Sequence, residues 1–152
     1  MRELVNKILT KLEPEIKYSL EAENLILGTG AHESMGWTKR KQMGSGPALG
    51  LFQMEPATFN DIVNNYLRYH PDIVGKIKQI SRINVFSSVD LINNDALAIC
   101  MCRVHYLRVT EPLPNNLPGW AAYWKKWYNT PLGKGTEQQF INDFNRYVKG
   151  IS

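Results

Sequence analysis

The sequence of 152 residues predicts a mainly α-helical protein with at most a short, irregular β-hairpin. Apolar residues recur three and four positions apart through most of the chain, which is the period of amphipathic helices. No two segments show the alternation of apolar and polar residues that is typical of paired strands. Proline and glycine are concentrated between the periodic segments, where connections are expected. With 43% apolar residues and this length, the chain is expected to form one domain over residues 1–152.

The first two predicted helices lead to a glutamate. An apolar stripe predicts a helix over residues 2–12, and Pro14 marks its end. A second helix is predicted from about Glu15, and its side chains become small in the sequence GTGA shortly before Glu33. Glu33 is therefore expected near the C-terminal end of this helix.

The middle of the chain begins with an irregular segment. Residues 35–49 contain three glycines and a proline among polar and basic residues, which predicts a long loop or an irregular hairpin. Prolines suited to the first turn of a helix then predict one helix over residues 56–68 and a weaker one from Pro71. The apolar residues of the first of these helices are expected to form its buried stripe.

The second half of the chain contains the strongest helical pattern. Residues 88–109 leave little polar surface, so this helix is expected to be central. An aromatic helix follows within residues 120–129, and Thr136 with Gln139 predicts a capping box at the start of the last helix.

The charge of the chain narrows its partners without naming one. The formal net charge of +4 favours an anionic partner, such as a bacterial wall, a membrane surface or a nucleic acid. The basic residues are scattered, however, and their densest group is only residues 39–41, so no nucleic-acid-binding stripe is predicted. The N-terminal segment lacks the uninterrupted apolar stretch of a signal peptide or a membrane span. We expect neither a signal peptide nor a membrane span.

The two cysteines do not suggest a disulfide. Cys100 and Cys102 lie two positions apart in the predicted central helix, where their side chains point to different sides. They are expected to be small core residues of a protein made in a reducing compartment.

The most informative feature pairs Glu33 with the segment GPALGLFQMEPATF at residues 46–59. One acid at the end of a helix would face a tightly folded glycine-rich segment, and a cleft is the natural result. Glycosidic bonds break through an oxocarbenium-like transition state, and a carboxyl group in an apolar pocket keeps the proton that the leaving oxygen needs. Glu33 is therefore the candidate general acid.

These motifs resemble those of the soluble lytic transglycosylases and goose-type lysozymes. The resemblance rests on Glu33–Ser34, on Gly-Leu-Phe-Gln ending at Gln53 and on the Pro-Ala-Thr that follows, and it is strongest over residues 25–59. It implies a lysozyme-like fold in which Glu33 acts as acid and then as base on the glycan strand of peptidoglycan. Ser34 would support Glu33, and Gln53 would line the sugar cleft.

The same resemblance implies a role for an aromatic segment near the C-terminus. Tyr128 and Asn129 match a Tyr-Asn pair that would close the far wall of the cleft, and a small residue and a glycine usually follow that pair in the family. Here Thr130 and Pro131 follow instead, which departs from the family pattern. Trp37, in the basic loop after Glu33, is a candidate sugar-contacting or lid residue.

The identity of the attacking group stays open. A hydrolase usually needs a second carboxylate, but no Asp or Glu lies between Glu33 and Glu55. Gln42 occupies the place, about nine residues after the acid, where phage lysozymes of another common type carry theirs. Glu55 is the candidate second catalytic residue, since goose-type lysozymes carry an Asp near this place. Lytic transglycosylases need none, because the hydroxymethyl oxygen of the muramic sugar attacks.

Other functions are less consistent with the sequence. His32 beside Glu33 suggests a zinc protease, but the HExxH motif requires histidine where Gly36 stands, so neither a metal nor a cofactor is expected. Trp120 and Trp124 share a helical face and are expected to pack in the core. The main alternative is a lysozyme-like module that binds peptidoglycan or forms part of a virion without cleavage. A basic nucleic-acid binder is a third class, and it lacks clustered basic residues.

The resemblance, the small size and the missing signal peptide together suggest a bacteriophage endolysin or a virion-associated lysin. Such a protein is made in the host cytoplasm and acts on the cell wall after release, or it is carried in a virion. It is expected to be a monomer.

Overall fold

The computed structural model describes residues 1–38, 40, 46–129 and 133–150, and it is mainly helical, as predicted. Seven α-helices lie within this described part: α1 (Arg2–Lys11), α2 (Leu20–Glu33), α3 (Pro56–Asn65), α4 (Pro71–Ser81), α5 (Asp95–Leu107), α6 (Leu117–Trp124) and α7 (Glu137–Asp143). Two 3₁₀ helices (Leu67–Tyr69 and Ser88–Ile92) and two π-helical turns (Lys125–Asn129 and Phe144–Val148) complete the helical segments. None of the described helices combines the length and the apolar character that crossing a membrane requires.

Helices α2 and α5 form the centre of the structure. Helix α2 packs against α1, α5, α6 and α7, and α5 packs against α1, α2, α3 and α4. Nine of the 14 residues of α2 and nine of the 13 residues of α5 are buried, so neither helix has only one apolar face. The predicted central position of the helix around residue 100 is therefore confirmed.

The start of α2 differs from the prediction. The helix begins at Leu20 because the Ser19 side chain accepts a hydrogen bond from the Ala22 amide (3.1 Å), which caps its first turn. Ile16 still belongs to the core, but it lies in the turn after α1, where its amide donates to the Leu12 carbonyl (2.9 Å). The apolar spacing that we assigned to one long helix therefore spans a turn and a helix.

Two later helices are shorter than predicted. The helix predicted over residues 56–68 ends at Asn65 and gives way to a 3₁₀ turn. The pattern over residues 88–109 contains a break, since the Asn94 side chain accepts from the Leu97 amide (2.9 Å) and starts α5 there. The capping box of Thr136 and Gln139 at the start of α7 is confirmed.

The expected irregular hairpin reduces to one antiparallel bridge in the described residues. Leu49 and Met54 exchange two backbone hydrogen bonds of 3.0 and 3.1 Å. The turn between them needs Gly50, because φ is +78° and a Cβ atom there would lie 2.3 Å from the Leu91 carbonyl oxygen. Residues 39 and 41–45 of the predicted loop, including Gln42, lie outside the described residues.

Cys100 and Cys102 are both free and fully buried, as predicted for small core residues. Burial raises the pKa of the Cys100 thiol to about 12, so it remains protonated.

Candidate active site

Glu33 is the last residue of α2, where the sequence placed it, and it is half-buried. The indole Nε1 of Trp124, on α6, donates a hydrogen bond to Glu33 Oε2 (2.9 Å). Burial raises the pKa of the Glu33 carboxyl, while the Trp124 hydrogen bond and the nearby His32 act in the opposite direction. The net pKa is raised, so the carboxyl group retains its proton to higher pH than an exposed glutamate.

The hydrogen bond from Trp124 also distinguishes the two oxygens of Glu33. An indole N–H can only donate, so Oε2 must act as an acceptor. The carbonyl oxygen of a carboxylic acid is a better acceptor than its hydroxyl oxygen, so in the neutral acid this hydrogen bond favours the proton on Oε1, which has no hydrogen-bond partner among the residues that the structure describes. Oε1 is the atom from which Glu33 would deliver a proton.

Small residues in α2 let the glycine-rich segment approach the helix near this acid. A Cβ atom on Gly30 would lie 2.9 Å from Phe52 Cε1 and 2.8 Å from the indole nitrogen of Trp37. Both aromatic side chains therefore occupy the space that a larger residue in the GTGA sequence would fill. The Gly-Leu-Phe-Gln turn is thereby packed against α2 one helical turn before Glu33.

Tyr128 connects the same turn to the end of the aromatic helix. Its hydroxyl donates a hydrogen bond to the Phe52 carbonyl (2.6 Å), next to Gln53. Burial raises the pKa of the Tyr128 phenol well above its ordinary value, so the hydroxyl stays a donor at neutral pH. The structure thus joins three predicted parts of the site: the end of α2, the glycine-rich turn and the Tyr-Asn segment.

Substituting Tyr128 by Phe is expected to lower the free energy of unfolding by about 1–3 kcal/mol, because the Phe52 carbonyl loses its donor. It should also lower any activity that depends on the position of Gln53. Urea unfolding measures the first effect. Tyr123→Phe is a matched control, since the Tyr123 hydroxyl donates to the Glu111 carbonyl (2.9 Å) instead of to the turn. Equal losses of activity in the two variants would contradict a specific role for Tyr128.

The other predicted substrate-binding residues lie in different environments. Ser34 is fully buried, and its hydroxyl donates to the Gly30 carbonyl (2.7 Å), so it closes the end of α2 instead of facing a ligand. Gln53 is half-buried with a positive φ of 48°, and its side-chain amide donates to the Gly50 carbonyl (2.8 Å). The carbonyl oxygen of that side chain has no partner among the described residues.

Asn129 faces the segment that follows it. Its side-chain oxygen accepts from Lys125 Nζ (2.8 Å), and a Cβ atom on Gly133 would lie 2.4 Å from the Asn129 carbonyl oxygen. A glycine is therefore required near Asn129, although not at the spacing that the sequence motif suggested. Thr130 and Pro131 lie outside the described residues.

Trp37 and Glu55, the two remaining candidates, differ in their exposure. Trp37 is half-buried against Gly30, and its indole nitrogen is buried with no hydrogen-bond partner among the described residues. Glu55 is exposed at the residue before α3 and makes no side-chain cap there.

Trp124 was predicted as a core residue and is indeed fully buried, but its contact with Glu33 was not foreseen. The two residues are 91 positions apart, and helical spacing reports burial without reporting the direction of an indole N–H. His32 was also assigned no role, although its Nδ1 lies 2.7 Å from Asp143 Oδ2.

Within the described ranges, no three histidine, cysteine, aspartate or glutamate residues come close enough together to hold a metal ion.

The chain matches no protein-family model, no curated protein and no solved structure.

Proposed function

We propose that the protein cleaves the β-1,4 bond between N-acetylmuramic acid and N-acetylglucosamine in the peptidoglycan glycan strand. The observation that carries the proposal is the environment of Glu33. This glutamate is half-buried at a helix end, its pKa is raised, one oxygen accepts from Trp124, and the other is without a partner among the described residues. A carboxyl group in such an environment is suited to general acid catalysis.

In the proposed reaction, Glu33 Oε1 gives its proton to the glycosidic oxygen as the bond to the muramic sugar breaks. The Trp124 indole continues to donate to Oε2 and stabilises the carboxylate that forms. The carboxylate then accepts a proton from the attacking hydroxyl group. That hydroxyl belongs to water in a lysozyme and to the sugar itself in a lytic transglycosylase.

The resemblance to soluble lytic transglycosylases and goose-type lysozymes supports the proposal, and with it a lysozyme-like fold. The joining of Glu33, the Gly-Leu-Phe-Gln turn and Tyr128 is what a cleft of this kind requires. The net charge of +4 would attract the chain to anionic wall polymers. A bacteriophage endolysin or virion-associated lysin is the proposed biological role, with the cell wall as the place of action.

The test is to incubate the purified protein with peptidoglycan and identify the released muropeptides by mass spectrometry. Products with 1,6-anhydromuramic ends would establish a lytic transglycosylase, and reducing ends would establish a lysozyme. Binding to the wall without any soluble product would overturn the enzymatic proposal and favour the non-catalytic module instead.

The exposure of Glu55 favours the route without a second carboxylate. We expect Glu55→Gln to retain most of the rate of muropeptide release, since the side chain lies in water and makes no side-chain cap at α3. The rate and the chemical nature of the new sugar ends check this. A loss of about 100-fold, in the range of a missing general base, would instead assign Glu55 to the activation of water.

A further inference from the structure

Two residues outside the proposed chemistry, His32 and Asp143, form a hydrogen-bonded pair beside the Trp124 indole. His32 Nδ1 lies 2.7 Å from Asp143 Oδ2, and both side chains are largely shielded, with 17% and 28% of their surfaces exposed. The His32 ring meets the Trp124 ring edge-on, with centroids 4.6 Å apart and planes at 75°. The pair therefore contacts the residue that donates to Glu33.

Trp124 is enclosed on its other sides as well. The Phe140 ring lies with its centroid 5.3 Å from that of Trp124. A Cβ atom on Gly135 would lie 2.6 Å from Trp124 Cη2 and 3.2 Å from His32 Nε2, so the backbone of Gly135 closes the same space. An indole enclosed in this way has little freedom to turn its N–H away from Glu33.

We propose that His32 and Asp143 are positioning residues, which hold the Trp124 indole in the orientation that donates to Glu33 Oε2 and leaves Oε1 to carry the proton. Asp143, at the end of α7, fixes the plane of the His32 ring through Nδ1. The edge of the His32 ring, in turn, holds the Trp124 indole in place. The inference deepens the proposed function and rests on the role of Glu33 as the proton donor.

His32 also affects Glu33 directly through electrostatics. This effect changes the pKa of Glu33 in the same direction as the indole hydrogen bond does. The titratable groups that face Glu33 from α2, α5 and the turn after α6 are His32, Cys102, Tyr106 and Tyr128. Burial raises the pKa of the last three, so they are uncharged near neutral pH, and Asp143 faces His32 from α7. His32 lowers the pKa of Glu33, and so does the indole hydrogen bond. Removal of His32 therefore raises the pKa of Glu33 by both effects.

The test is a pH titration of the full chain by ¹⁵N–¹H NMR in the tryptophan indole region. The Trp124 signal is assigned as the one missing in Trp124→Phe, and it should move with pH as Glu33 titrates. We expect Asp143→Asn and His32→Gln to shift this signal towards that of a free indole. His32→Gln should also raise the midpoint of the Glu33 titration. Glu137→Gln, the same carboxylate-to-amide change at an exposed position of α7, should leave both unchanged.

In the muropeptide assay, Asp143→Asn and His32→Gln are each expected to reduce the rate of release about 10-fold, because a misplaced catalytic group lowers the rate even when the fold persists. His32→Gln should in addition move the alkaline limb of the pH–rate profile upwards, which a loss of stability alone would not do. Circular dichroism confirms that the variants fold. If the Trp124 signal and the titration midpoint keep their wild-type values in both variants, the inference is overturned. A wild-type protein that releases no muropeptide contradicts the proposed function instead, while the NMR result still decides whether the pair holds the indole.

Discussion

Replacing Glu33 by Gln is expected to abolish peptidoglycan cleavage, with a loss of about 1,000-fold or more, because the amide has no proton to transfer. The substitution keeps the size of the side chain, and its oxygen can still accept from the Trp124 indole. Release of soluble muropeptides measures the loss, and binding to insoluble wall measures whether the substrate surface is intact. Wild-type rates of release in Glu33→Gln would refute the mechanism.

The same variant is expected to be more stable than the wild type near neutral pH. The pKa of Glu33 is raised above the ordinary 4.5 in the folded protein, so the folded state releases this proton less readily than the unfolded chain. Below pH 4.5 both states hold the proton and the residue costs nothing. As pH rises towards the folded-state pKa, the wild type loses about 1.4 kcal/mol for each pH unit by which that pKa exceeds 4.5. Glutamine carries no such penalty.

Glu23→Gln is the matched control for both effects, since it makes the same change in the same helix. Glu23 is 2% exposed, and it accepts from Arg2 Nη1 (2.5 Å), Asn6 (2.8 Å) and Tyr18 (2.9 Å). Loss of its charge should lower the free energy of unfolding by about 1–3 kcal/mol and leave cleavage unchanged. Thermal unfolding of the wild type, Glu33→Gln and Glu23→Gln at pH 4 and pH 7 distinguishes the effects of the two glutamates on stability. If Glu33→Gln were less stable than the wild type at pH 7, this would contradict the claim that burial raises the pKa of Glu33.

The opposite effects expected for these two glutamates follow from their partners. Glu23 is surrounded by donors, including a cation, and so its charge stabilises the fold. Glu33 has one indole donor, and its burial raises the pKa of the carboxyl group. The chain therefore contains one glutamate placed for stability and one held in an environment unfavourable to its charge, which is the usual property of a general acid.

The sequence predicted the helical class and the place of Glu33 at a helix end because both depend on local pattern. Apolar spacing is repeated in every turn, and the small residues before Glu33 can be read directly. The predictions of where helices begin and end were less accurate. The helix predicted from Glu15 starts at Leu20, since a cap depends on one side chain, Ser19, and not on periodicity.

The contacts that define the site could not be predicted in the same way. Asp143 is 110 residues from Glu33 in the sequence. Gly135 must be small because the Trp124 ring, which belongs to α6, packs on it. The aromatic helix continues after Trp124 as a π-helical turn, in which Trp127 is partly buried against the core and the Tyr128 hydroxyl donates to the Phe52 carbonyl.

Replacing Trp124 by Phe is expected to move the alkaline limb of the pH–rate profile upwards by about one to two pH units. The carboxylate of Glu33 loses a hydrogen bond to a charged acceptor, worth about 1.5–3 kcal/mol, and 1.36 kcal/mol corresponds to one pKa unit. The pKa of Glu33 therefore rises further above its ordinary value. Because the acid must be protonated to act, a higher pKa extends activity to higher pH.

The maximal rate of Trp124→Phe should nevertheless fall about 10-fold, because no donor then assigns the proton to Oε1. Trp120→Phe is the matched control in the same helix. Trp120 is 8% exposed, and its indole donates to the Pro114 carbonyl (2.6 Å), so this variant loses the same volume and the same kind of hydrogen bond without touching Glu33. Both variants should lose stability, but only Trp124→Phe should change the pH dependence of cleavage. An equal shift of the alkaline limb in both would mean that loosening of α6, and not the bond to Glu33, sets the proton affinity of the acid.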